Sequence, residues 1–128
     1  MTTAQGPDAD AVALHVPGRP EYLRLVRLAA ADSGTRADLS IEEVEDLRIA
    51  VDELAYALMG EEATGGMLTL RYATTKGQVE IHGSCATHGA PLIVSELSRS
   101  IIGAVVDEYE VAEVDGLRRF RLLKRSRM

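Results

Sequence analysis

Ser40-Ile-Glu-Glu-Val-Glu-Asp-Leu-Arg-Ile-Ala-Val-Asp-Glu-Leu-Ala-Tyr-Ala-Leu-Met-Gly60 decides the fold. Ser40 is a good N-cap, and Glu43 three residues later completes a capping box. Val44, Leu47, Val51, Leu54 and Leu58 recur at intervals of three and four, the stripe of a helix with one buried side. Glu42, Glu43, Glu45 and Asp46 crowd the first turns, where the helix dipole favours anions. Gly60 suits the C-terminal cap. The stretch is therefore one long amphipathic helix.

Upstream, Val12, Leu14 and Val16 alternate with Ala13 and His15, which predicts a short strand with one buried face. Pro17 and Gly18 stop it, and Pro20 suits the first turn of a helix. Leu23, Val26 and Ala30 follow at helical spacing, and Asp32-Ser33-Gly34 is expected to close that helix. Downstream, Leu68, Leu70 and Tyr72 form one strand, and Val79 and Ile81 another. Thr75-Lys76-Gly77 forms the hairpin turn between them. A loop from Gly83 to Pro91 leads into a helix over about Val94 to Val106, with Val94, Leu97, Ile101 and Val105 on its buried face. Tyr109 and Val111 begin a strand, Asp115-Gly116 turns the chain, and Phe120 and Leu122 mark the last strand. The order β-α-α-β-β-α-β-β predicts an α/β (α+β) two-layer sandwich, with about three helices on one face of a mostly antiparallel, mixed sheet. Residues 1–10, small and polar, are expected to be a disordered tail, and 11–125 a single domain.

The 128 residues suit one domain, and a net charge of −6 argues against direct nucleic-acid binding. The end of the chain is basic, with Arg118, Arg119, Arg121, Lys124, Arg125 and Arg127. It reads as a solvated strand face and basic tail, or as a patch for an acidic protein partner. The single cysteine, Cys85, excludes an internal disulfide and fits a reducing cytoplasm. No signal-like segment and no membrane-length apolar run occurs, so a cytoplasmic protein is expected, with no membrane partner. His82, Cys85 and His88 offer three donors where a structural zinc site takes four, so no metal site is expected. Cys85 as a nucleophile would need a base, for which His82 and His88 are the neighbours.

Three segments together resemble the bacterial anti-sigma factor and serine-protein kinase family. Val16 to Arg27 (VPGRPEYLRLVR) is similar to the family's opening strand and Pro-Glu-Tyr helix start. Ile41 to Glu53 (IEEVEDLRIAVDE) closely resembles the helix carrying its N-box. Ala104 to Val111 (AVVDEYEV) is like the helix end and strand after its last glycine-rich box. The resemblance covers residues 12 to 124. It implies a histidine-kinase-like ATPase (Bergerat) fold, a homodimer and partner switching. The partners implied are a sigma factor and an anti-anti-sigma (STAS-type) domain, which kinase members phosphorylate on serine.

The resemblance also implies a set of nucleotide-contacting positions, and here the sequence departs from it. Glu53 matches the catalytic carboxylate. The Asn that would ligate Mg²⁺ is replaced by Ala57. The adenine-reading Asp falls on Gly83, and the glycines after it on Cys85 and Thr87. The phosphate-wrapping glycines fall near Glu96 and Ser98. Charge-assisted hydrogen bonds contribute about 1.5–3 kcal/mol each. Losing two costs roughly 3–6 kcal/mol, a hundredfold to ten-thousandfold in affinity. No cofactor is therefore expected, with ATP and Mg²⁺ bound only if the site functions. The leading expectation is a regulator that binds partners without phosphorylating them, using the acidic start of the long helix and the Arg-rich last strand. The alternatives are an active serine kinase using Glu53, and a scaffold that dimerises with an active homologue. Tyr56 is expected either to pack in the core or an interface, or to fill the vacated nucleotide cavity together with Leu58 and Met59.

Overall fold

In the computed structural model, residues 10–60, 66–86 and 91–128 are described. Strand β1 spans Asp10–Pro17, and a 3-10 turn over Pro20–Tyr22 leads into α1, Leu23–Arg36. Helix α2 spans Ile41–Met59, and β2 (Met67–Thr75) and β3 (Gln78–Ala86) form a hairpin. Helix α3 spans Glu96–Val105, followed by β4 (Glu108–Val114) and β5 (Leu117–Arg125). The five strands lie in the order β1-β2-β3-β5-β4, and every neighbouring pair is antiparallel, so the sheet is antiparallel throughout rather than mixed.

Helix α2 is the spine of the domain, as its sequence requires. Ser40 Oγ accepts from the Glu43 amide at 3.1 Å, and Glu43 Oε1 accepts from the Ser40 amide at 2.8 Å. The capping box thus satisfies two otherwise orphaned donors. Leu47, Val51, Leu54 and Leu58 are wholly buried, with Val44 partly so. They meet Leu68, Leu70, Tyr72, Val79, Ile81 and Leu122 from the helix side of the sheet. Gly60 ends the helix at φ 77°, a conformation that glycine adopts without strain. The Tyr72 hydroxyl, buried below α1, donates to the Val26 carbonyl at 3.0 Å, and burial raises its pKa.

Four local expectations are corrected. Gly34 does not close α1, which runs on to Arg36. A Cβ at Gly34 would stand 3.0 Å from Val44 Cγ2, so the glycine lets α1 and α2 approach closely. Strand β3 continues to Ala86, so the loop expected from Gly83 begins later. Strand β1 is an edge strand: Val16 is buried and Leu14 packs against the core, but Val12 is exposed. In α3 the wholly buried residue is Ile102, whereas Leu97, expected on the buried face, is 72% exposed. The expected tail, apart from Asp10, lies outside the described residues, as do Thr87 and His88.

Candidate functional site

Glu53 lies on α2 facing the start of α3. Ser95 caps α3, its Oγ accepting from the Ser98 amide at 3.0 Å. That cap presents Ser98 towards α2, where Ser98 Oγ donates to Glu53 Oε1 at 2.7 Å. Ser95 and Ser98 hydroxyls lie 3.1 Å apart, extending the chain of polar contacts. The sequence places Ser98 among positions expected to be phosphate-wrapping glycines; it stands instead in the first turn of a regular helix. The Ser95-x-x-Ser98 pattern was the available signal, since a hydroxyl three residues before a helical amide is a capping arrangement.

One turn after Glu53, Ala57 offers a methyl group and no oxygen donor. Gly83 sits in the middle of β3, paired with Phe120 of β5. A Cβ built at Gly83 would stand 2.2 Å from Phe120 Cε2, so the ring lies over the glycine on the helix side. No side chain fits there unless Phe120 moves. Phe120 was read from the sequence only as a strand marker; its cover over Gly83 depends on the β3–β5 register.

Cys85 is 1% exposed and faces the helices. Burial raises its thiol pKa, only partly opposed by the Arg118 charge. His82, three residues earlier, points to the opposite face of the strand, as the two-residue period requires. His82 therefore cannot serve Cys85 as a base. Its Nε2 lies 2.6 Å from Glu80 Oε2. Among the described residues no cluster of His, Cys, Asp and Glu could hold a metal ion. Tyr56 is 45% exposed and so lies outside the core, while Leu58 and Met59 belong to it.

The basic last strand is divided between the two faces of the sheet. On the helix side, Arg118 Nη1 donates to the Leu58 carbonyl at 3.1 Å. Lys124 Nζ, also on that side, reaches the Val105 carbonyl at 2.7 Å and Asp46 Oδ2 at 3.2 Å. On the open side, Arg121 pairs with Glu80 and Glu108. The acidic start of α2 is likewise divided, with Glu42 and Glu45 exposed and the other two acids engaged inward. Glu43 Oε2 accepts from the Arg127 amide at 2.8 Å, and Asp46 is taken by Lys124. Neither region is the simple solvated patch that its composition suggests.

Known proteins resemble this chain in sequence and in fold. No family model matches the chain. The serine-protein kinase RsbW of Listeria monocytogenes serovar 1/2a is 36% identical over 80 residues, covering 59% of this chain and 50% of that protein. The anti-sigma-F factor RsbW of Mycobacterium tuberculosis is 32% identical over 102 residues, covering 78% of this chain and 60% of that protein. The chain thus spans about half the length of the first of these relatives. The solved structure of the RsbU and RsbW domains of Rv1364c from Mycobacterium tuberculosis superimposes with a TM-score of 0.70 at 14% identity. That match covers 91% of this chain and 32% of that one. The fold is that of the histidine-kinase-like ATPase domains. By sequence, the chain is similar to bacterial proteins named serine-protein kinase RsbW and anti-sigma-F factor RsbW, over part of their length.

Proposed function

We propose that this protein is an anti-sigma-type transcription regulator that works by partner binding, without ATP-dependent phosphorylation. A sigma factor and a STAS-type anti-anti-sigma domain are the proposed partners, competing for a homodimer in the cytoplasm. The names of its relatives support the regulatory role.

The contact between Ser98 and Glu53 carries the proposal that the kinase chemistry is lost. A carboxylate acting as general base needs a free oxygen near the acceptor hydroxyl. Here a serine of the chain itself takes Glu53 Oε1, which leaves Oε2 alone to meet an acceptor hydroxyl. Magnesium wants oxygen ligands, and Ala57 has none to give. An Asp at Gly83 would collide with Phe120. The donor set therefore does not fit a magnesium-bound nucleotide held through the family's contacts, and no catalytic step is assigned.

The kinase name carried by several relatives favours the second reading, an active serine kinase using Glu53. Calorimetric titration with magnesium-ATP and magnesium-ADP separates the two. No heat at millimolar nucleotide, together with capture of a sigma factor, is the expected result. Saturable binding and serine phosphate on an anti-anti-sigma partner would establish the kinase instead.

A further inference from the structure

We propose that the open face of the sheet, opposite the helices, holds a binding site for a small phosphate-bearing ligand, gripped by Arg71 and Arg119. The site lies away from the Glu53 region and is independent of the function proposed above.

The strand register builds it in two rows. Arg71 of β2 stands beside His82 of β3, which stands beside Arg121 of β5. In the next row Thr69 pairs with Ser84, and Ser84 with Arg119. The short hydroxyl side chains make a low floor, and the long arginines rise around it. The resulting hollow has a volume of about 450 Å³, within the range of small-molecule sites.

Charge points to the ligand class. Three guanidiniums line the hollow against one carboxylate, Glu110, in a chain of net charge −6. Glu80, Glu108 and Glu110 all lie within ion-pair distance of Arg121. Arg71 and Arg119 have no ion pair among the described residues. Arg119 and Arg121 stand two residues apart on the same face of β5, and Arg71 shares Arg121's row two strands away, so an anion set between the rows meets positive charge from both sides. Guanidinium forks match the paired oxygens of a phosphate, and the Thr69 and Ser84 hydroxyls can donate to the remaining ones.

The test is an amide-shift titration of the full chain with sodium pyrophosphate, against sodium chloride at matched ionic strength. Saturable shifts at residues 69–71, 82–84 and 119–121 are expected. Arg71→Gln/Arg119→Gln should weaken binding by about tenfold or more. Arg71→Lys/Arg119→Lys, which keeps charge but loses the fork, should fall between that variant and the parent. Shifts that chloride reproduces, shifts on the helix side, or affinity unchanged in the Gln variant would overturn the proposal. So would tighter binding of a glutamate-rich peptide at the same residues, which would assign the face to an acidic protein segment. The absence of any saturable pyrophosphate shift would also overturn it.

Discussion

Ser98 Oγ and Glu53 Oε1, 45 residues apart in the chain, meet at 2.7 Å and tie the first turn of α3 to the middle of α2. The bond joins two helices that otherwise share a modest apolar contact through Ile102. Ser98→Ala should therefore act locally. A loss of about 1 kcal/mol is expected in denaturant unfolding, with faster amide exchange in α3 and unchanged exchange in the hairpin β2–β3. Slower exchange in α3 would show that the contact strains the helix.

The ring over Gly83 makes two further variants informative. Gly83→Ala places a methyl group inside the Phe120 ring and should cost about 1–3 kcal/mol as an overpacked core. Phe120→Ala leaves a cavity and should cost about 3–5 kcal/mol. In the double variant the new methyl enters the space the ring vacates, so the double variant should lose less than the sum of the two single losses. Strict additivity in chemical unfolding would mean that the two positions do not share that space.

Lys124 is almost wholly buried, while its partner Asp46 keeps 29% of its side-chain surface. Lys124→Met retains the stem but leaves the Val105 carbonyl without its donor and Asp46 without its cation. A loss of about 2 kcal/mol is expected, below the range for a fully buried pair because water still reaches the carboxylate. Asp46→Asn should cost less. The reverse ranking in thermal unfolding would contradict this account.

Glu43 gives the fold a defined acid sensitivity. Amide donors from Ser40 and then Arg127 hold its pKa below the ordinary glutamate value. A depressed folded pKa contributes stability above the unfolded value of about 4.5. That stability is lost as pH falls from there towards the folded value. Glu43→Gln keeps the capping geometry and loses the charge. It should be less stable than the parent at pH 7, and the difference should shrink as the solution is acidified below about pH 4. A difference constant across that range would remove Glu43 from the acid response.

Cys85 should react far more slowly with a disulfide reagent in the folded protein than in denaturant, because its thiol is buried and its pKa raised. Rapid labelling of the native protein would show that β3 opens at its end.

Much of this was legible in the sequence, for reasons that differ by element. Helix α2 could be read because its cap, stripe and terminator lie within one continuous segment. The turns at Gly77 and at Asp115-Gly116 could be read because positive φ restricts residue choice. The α3 face was misread because Ile101 and Ile102 are adjacent, and only packing against α2 selects the second. Gly34 looked like a stop because a glycine inside a helix carries no local sign of the neighbour it admits. The Ser98–Glu53 contact, the Phe120 cover and the Arg71–His82–Arg121 row all join segments distant in the chain. They depend on how helices dock and strands register, which no local pattern encodes.

Because β1 joins β2 only after the chain has passed through residues 18–66, the edge strand has a late place in folding. The hairpins β2–β3 and β4–β5 close over very short turns and can form early. Pairing β1 requires the loop containing both α1 and α2 to be closed first, the slower kind of event. Residues 10–17 should then gain protection last on refolding and lose it first under mild denaturant. The strand that opens the chain would be the one whose attachment sets the rate.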